Sequence, residues 1–281
     1  MSEQIEDYRL FEEGPLKGTM IHFRNPTVAD YRHFAAIESH LEESITTQYL
    51  NRMQIAELYD DGKIIDSATW TAEDRRTALW WIYMNTRENT VISQSYKCSH
   101  CDSTHIRQID LADLVQYLIE PECSMVESIT VDGIKPGYIQ PLRGHAMDFL
   151  EGVRNERDQF DEDSPQWNEL HVDLRLYETA WGLLFKDDDE SLSLDEQAEA
   201  RYQYLLTLNP DKQYKKLAAQ VRTAYSSMRH GLMSEYVDGE IKLVTPPHEC
   251  PVSVENLKEG DKPAETVLLL PFWYNHFLPN V

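Results

Sequence analysis

The sequence has few glycines, few cysteines, few basic residues and no long apolar run. A membrane-spanning helix needs roughly 18–20 apolar residues, and no run in this sequence, including residues 267–270 before Pro271, approaches that length. With only 11 glycines, a glycine-rich phosphate loop is hard to place. The first residues, MSEQIEDY, lack the basic and apolar regions of a secretory signal. We therefore expect a protein without membrane contact that stays in the cell that makes it.

Basic residues are outnumbered by acidic ones, 26 Lys and Arg against 49 Asp and Glu, and the net charge is −23. Binding to nucleic acid depends largely on basic groups that displace counterions from phosphates. No cluster of Lys and Arg offsets the overall charge, so we expect no nucleic-acid partner. The acidity favours solubility and fits a basic protein partner.

Apolar side chains are abundant enough for a folded core, since 41% of residues are hydrophobic and 10% are aromatic. Their periodicity predicts an α+β fold with a mixed N-terminal half and a largely helical second half. We divide the chain into a mixed α/β region (1–153), a helical region (154–245) and a C-terminal segment (246–281). The last of these is expected to pack back on a cysteine knuckle in the first.

Helix starts and one hairpin are predicted from local signals. A Thr or Ser followed three residues later by an acidic residue is typical of a helix N-terminus. Such pairs are Thr27 with Asp30, Thr71 with Asp74 and Ser193 with Glu196. Apolar stripes predict helices that continue to about Ile45, over 170–185 and over 212–233, and Asp132-Gly133 predicts a hairpin turn.

The clearest chemical motif is Cys98-x-x-Cys101, placed between two predicted strands. Two thiolates at a tight turn can both face a tetrahedral Zn²⁺, and strand, CxxC, strand is the pattern of half a zinc ribbon. We assign His248 and Cys250 as the two further ligands of a structural zinc. The local alternatives are His100, His105 and Cys123, and Ser253 stands where a second CxxC would have its last cysteine.

No catalytic constellation is visible in the sequence. A reactive thiol pair usually lies at a helix N-terminus, whereas a strand is predicted after Cys101. The acidic runs at 161–163 and 187–190 lack the glycine and glutamate spacing of a calcium loop. His-Glu-x-x-His and Gly-x-Ser-x-Gly are absent. We therefore expect no enzymatic activity and no small-molecule substrate.

The C-terminal residues are unusually apolar for a chain end. One interpretation is a terminal strand and turn packed on the core. The other is a docking surface for a partner subunit, because large exposed apolar patches mark interfaces. The residues assigned to that surface are Leu270, Phe272, Trp273, Tyr274 and Phe277.

Three features in order carry a family resemblance. The first is a strand ending in Phe23 and followed by a helix that opens with Thr27-Val28-Ala29-Asp30-Tyr31-Arg32. The second is the knuckle, and the third is a strand pair leading into a helix over 129–149. In this order the features resemble the baseplate-hub assembly proteins of T-even-type contractile-tailed bacteriophages. The resemblance covers the first 150 residues in outline and the last 35 loosely.

The resemblance implies a structural or assembly role in a phage tail baseplate, through contacts with other tail and baseplate proteins. It also implies a location in the host cytoplasm during assembly, with the virion tail as a further location. Family members often have a second knuckle with two well-spaced cysteines near the C-terminus. This sequence departs from that pattern, because it has His248 and Cys250 there. Two alternatives stay open: a zinc-dependent or thiol-redox enzyme centred on Cys98 and Cys101, and an acidic inhibitor of a nucleic-acid-binding protein.

Overall fold

The computed structural model describes residues 3–11, 16, 18–34, 41–121, 126–237, 240–255 and 262–271. Helices lie beside small antiparallel sheets in this part of the chain, which confirms the predicted α+β class. None of the described helices is both long and apolar enough to cross a lipid bilayer.

The α-helices are numbered in chain order. They are α1 (Val28–Phe34), α2 (Glu42–Met53), α3 (Ala72–Thr86), α4 (Gly144–Arg157), α5 (Pro165–Trp181), α6 (Leu194–Leu206), α7 (Lys215–Ser227) and α8 (Pro251–Glu255). Short 3₁₀ segments occur at Ala56–Leu58, Ser67–Thr69 and Leu111–Tyr117, and a π-helical turn, Pro210–Tyr214, leads into α7.

Side-chain caps explain where several helices begin. The Thr71 hydroxyl accepts a 3.1 Å hydrogen bond from the Asp74 N–H at the start of α3. Ser193 and Glu196 form a reciprocal capping box before α6. The Asp30 carboxylate accepts bonds from the N–H and the hydroxyl of Thr27, each 2.8 Å long. All three predicted helix starts are therefore confirmed, because each uses donors that a helix terminus leaves unpaired.

The strands form small antiparallel sheets. They are β1 (Tyr8–Arg9), β2 (Met20–Ile21), β3 (Val91–Lys97), β4 (Thr104–Asp110), β5 (Glu127–Ser128), β6 (Gly137–Ile139), β7 (Leu183–Phe185), β8 (Ser234–Val237), β9 (Glu240–Val244), β10 (His248–Glu249), β11 (Glu265–Thr266) and β12 (Leu269–Pro271). The sheets are β1-β2, β3-β4, β5-β6-β7, β12-β9-β8 and β10-β11. The predicted hairpin around Gly133 is present as β5 and β6.

Three predicted helices differ from the structure in length. The stripe that runs to Ile45 is divided between α1 and α2, because α2 begins only after Leu41. Helix α5 ends at Trp181, and Leu183–Phe185 pairs with β6, where Gly137 has no Cβ that would overlap the Leu184 carbonyl. Helix α7 ends at Ser227, before the chain turns into β8. For α5 a long-range strand partner, and for α7 a change of chain direction, ends a helix that local periodicity would continue.

The largest core cluster joins the N-terminal strands, α2 and α3 with residues from the end of the chain. Leu270, assigned from the sequence to an exposed docking surface, is only 1% exposed and lies in this cluster. That assignment is wrong, since β12 pairs with β9 and buries the side chain of Leu270. Phe272, Trp273, Tyr274 and Phe277, the other residues assigned to that surface, lie outside the described residues.

Contacts also cross position 153, the predicted end of the first region. Ile139 of β6 packs with α5, β7, α6 and α7 in a second cluster. A third cluster joins α4 with Leu174, Trp181 and Ala198. The helices of 154–245 are therefore packed directly against the last elements of 1–153.

Candidate metal centre

The knuckle is built on a regular hairpin. Strands β3 and β4 pair with Lys97 opposite Thr104 and Tyr96 opposite His105. At the tip, the Cys98 N–H donates to the Ser103 carbonyl and the Asp102 N–H donates to the Cys98 carbonyl, both over 2.9 Å. Asp102 has a φ of 57°, a left-handed conformation that aspartate tolerates. This turn fixes both knuckle cysteines at the end of the hairpin.

The C-terminal segment supplies the second part of the site, beside the β3-β4 hairpin. Cys250 lies at the end of β10, directly before α8, and its N–H donates to the Ala264 carbonyl over 2.8 Å. Ser253 does not offer a thiol here; its hydroxyl accepts a 2.8 Å hydrogen bond from the Ala264 N–H. His100 Nε2 lies 3.0 Å from the Glu265 carbonyl, so the knuckle contacts β11 directly. The tip of the β3-β4 hairpin and the C-terminal segment therefore come together at Cys250.

Four potential metal ligands lie close together where the β3-β4 hairpin contacts the C-terminal segment. The Sγ atoms of Cys98, Cys101 and Cys250 and a ring nitrogen of His105 all lie within 4.8 Å of one another. Thiolates bound to one zinc at ~2.3 Å in a tetrahedron are about 3.8 Å apart, so these positions suit a single ion. Cys98 and Cys250 are 1% and 0% exposed, and Cys101 and His105 are half-buried. This group, called the Cys₃His cluster below, could bind a metal ion.

The surroundings favour ionisation of one thiol first. A hydrogen bond from the His100 backbone N–H lowers the pKa of the Cys98 thiol to about 7, against the effect of burial. The Ser253 backbone N–H favours the thiolate of Cys250, but burial and the neighbouring Cys98 and Cys101 thiols outweigh it and raise the pKa of Cys250. Adjacent thiols cannot all ionise easily unless a cation offsets their charge.

His248, assigned from the sequence as a ligand, is not among the four residues of the cluster. Its Nε2 lies 2.9 Å from the Tyr96 hydroxyl, and its ring meets the Tyr96 ring edge-on with centroids 5.1 Å apart. Tyr96 also packs against His105 at 5.8 Å. His248 therefore contacts the cluster through Tyr96, and His105, a local alternative, takes the fourth position.

The structure places some of the other predicted ligands in the cluster and leaves others out of it. Cys98, Cys101 and Cys250 come together as expected. His100 contacts a backbone carbonyl, and Cys123 lies outside the described residues. The spacing Cys98-x-x-Cys101-x-x-x-His105 is the signal that points to His105, since a tight hairpin returns that histidine to the turn.

Comparison with known proteins identifies no relative. No protein-family model, no curated protein and no solved structure matches the chain. The function must therefore be argued from the geometry of the described residues.

Proposed function

We propose that the Cys₃His cluster binds a structural zinc ion that fastens the C-terminal segment to the β3-β4 hairpin. The single observation that supports this is the donor set: three thiols and one imidazole within 4.8 Å. Thiolate and imidazole ligands in a tetrahedron suit zinc. A set of four protein ligands leaves no position for water or substrate, which is typical of structural rather than catalytic sites.

Metal analysis of purified protein tests the zinc. We expect about one zinc per chain, a loss of that zinc in Cys98→Ser and Cys250→Ser, and a loss or strong weakening in His105→Ala. The matched control is His248→Ala, since His248 is the histidine nearest in sequence to Cys250 but lies outside the cluster. Zinc retained by His105→Ala and lost by His248→Ala would contradict the ligand assignment.

We further propose that the protein is an assembly component of a contractile phage tail baseplate, acting by contact with other tail proteins. The order of features supports it: an N-terminal strand pair, a helix opened by Thr27 and Asp30, the knuckle, and a hairpin before α4. The Cys₃His cluster has no open ligand position, so it supports a role in holding the fold for protein contacts rather than metal-dependent catalysis at this site.

A stop codon introduced into the gene in its own phage tests this role. We expect infected cells to accumulate heads and unattached tail parts without complete baseplates, visible by electron microscopy. A plasmid copy of the intact gene is expected to restore infectious particles. Complete contractile tails in the absence of the protein, or a gene placed among metabolic genes rather than tail genes, would contradict the proposal.

A further inference from the structure

A cavity of about 340 Å³ lies between the first turn of α3, helices α5 and α7, and β8. None of its lining residues belongs to the Cys₃His cluster. Its apolar wall includes Leu142, Leu174 and Val237. Its charged lining residues come from α3, α5, α7, β8 and the connection between α7 and β8: Glu73, Arg175, Glu178, Arg222, Arg229 and Glu235. A small organic molecule with one polar end would fit these dimensions.

Two arginines at the cavity have unused donors. Among the described residues, the guanidinium groups of Arg222 and Arg229 form no ion pair within 4.0 Å and no hydrogen bond, although the charge of Arg229 favours the ionised form of Glu73. A guanidinium presents a planar set of donors that matches a carboxylate. Both residues are exposed, so water binds their donors in the free protein and an anion entering the cavity can reach them.

A buried hydrogen-bond acceptor without a donor lines the same cavity. Glu73 is in the first turn of α3, and its Oε2 atom is buried without a hydrogen-bond partner among the described residues. A buried acceptor left without a donor destabilises the folded state, and a ligand donor would remove that penalty. The carboxylates of Glu73, Glu178 and Glu235 also oppose a ligand that carries two negative charges.

We propose that this cavity binds a small carboxylate that also carries an N–H or O–H donor, and an amino acid is the simplest such molecule. The guanidinium groups of Arg222 and Arg229 bind its carboxylate. Glu73 accepts from its donor group, and the wall formed by Leu142, Leu174 and Val237 contacts its apolar part. This site was not expected from the sequence, which shows no small-molecule motif.

Ligand-observed NMR with the standard L-amino acids, followed by calorimetry on the best binder, tests the site. Two analogues of that binder separate the contacts. The amide, which lacks the carboxylate, and the deaminated acid, which lacks the donor, are each expected to bind at least about tenfold more weakly. The N-acetylated form keeps an N–H and a carboxylate. If the N-acetylated form binds as tightly as the free amino acid or more tightly, the ligand is the C-terminal residue of a peptide. If it binds more weakly, the ligand is a free amino acid.

Variants connect the binding to the cavity. Arg222→Gln and Arg229→Gln are each expected to weaken binding about tenfold or more, and Glu73→Gln is expected to weaken it less because the amide oxygen still accepts. Arg32→Gln, at an exposed arginine on α1, is the matched control and should bind as the wild type does. Binding by none of the amino acids, equal binding of the amide, or wild-type affinity in Arg229→Gln overturns the proposal.

Discussion

His230 is a fully buried imidazole between α3 and the end of α7. Its Nδ1 lies 2.8 Å from the Met228 carbonyl, and its Nε2 lies 2.8 Å from the Thr71 hydroxyl and 3.4 Å from Asp74 Oδ2. Burial disfavours the charged ring, but the hydrogen bond to Asp74 and the charges of Glu73 and Asp74 outweigh it and raise the pKa of His230 to about 9. The ring is therefore an imidazolium at neutral pH.

A pH titration of stability tests this histidine. Because its pKa rises from 6.5 to about 9 on folding, its stabilisation is complete below 6.5 and is lost as the pH rises to about 9. We expect the free energy of unfolding of the wild type to fall over that window by roughly 3 kcal/mol relative to His230→Gln, measured by urea denaturation. Parallel curves for the two proteins would show that His230 is neutral.

Gly231 follows His230 and has a φ of +66°. Its N–H and carbonyl both pair with Ile119 over 2.8 Å, and an added Cβ would overlap the Thr77 hydroxyl. Gly62 has nearly the same φ, +67°, but open space around it. We expect Gly62→Ala to lower the free energy of unfolding by about 1 kcal/mol and Gly231→Ala by roughly 3 kcal/mol. Equal losses in thermal or urea denaturation would mean that Thr77 moves aside without penalty.

At the scale of elements, zinc bound as proposed would make the hairpin β3-β4 and the short pair β10-β11 depend on one another through the Cys₃His cluster. Strands β10 and β11 pair over only two residues each, which is too little for a stable sheet alone. In contrast, β12 pairs with β9 and buries Leu270 in the main core. The metal should therefore stabilise β10 and β11 selectively.

Hydrogen exchange with and without a zinc chelator measures this dependence. We expect the amides of Cys98, Cys250 and the residues of β11 to exchange faster after zinc removal. Without the metal that holds the two segments together, their hydrogen bonds open more often. The amides of β9 that pair with β12 should keep their protection and serve as the internal control. Unchanged exchange at Cys250 would contradict a stabilising role for the metal.

Local features of this fold could be predicted from the sequence because their partners are close along the chain. The caps at Thr71 and Ser193 and the turn at Gly133 involve neighbours within a few residues. The end of α5 could not, since it depends on β6, a strand distant in sequence. Proximity to Cys250 in the sequence favours His248 over His105 as a ligand, but the return of β4 from the turn decides which imidazole reaches the thiols.

At the scale of the whole molecule, a buried ionic network joins α2, α3 and α4. Glu43 forms ion pairs with Arg76 and Arg75, and its backbone N–H donates to both carboxylate oxygens of Glu151 over 3.0 Å. Arg75 is fully buried and also donates to the Thr47 hydroxyl over 2.9 Å. Burial and the nearby Glu43 raise the pKa of Glu151 to about 7. The network therefore links α2 and α3, which contribute to the largest core cluster, with α4, which contributes to the third.

Removal of one partner should destabilise the whole fold. Burial opposes ionisation of Glu43, but Arg76 and Arg75 outweigh it and lower the pKa of Glu43, so the group is charged. Glu43→Gln leaves two buried guanidinium groups without their counter-charge, and we expect a loss of about 3–5 kcal/mol in urea denaturation. Asp187→Asn, which breaks an exposed pair with Lys135, is the control and should show no measurable change. Equal stability of the two variants would contradict the importance of the network.

The Cys₃His cluster also has a consequence for synthesis. Cys98, Cys101 and His105 emerge early, whereas Cys250 follows after more than half of the 281 residues have been added. A nascent chain, or one broken by a protease between these positions, offers an ion three donors and an open coordination site. With zinc bound as proposed, full enclosure of the ion requires a chain that is continuous from Cys98 to Cys250, so metal affinity distinguishes such a chain from one that is cut between these positions.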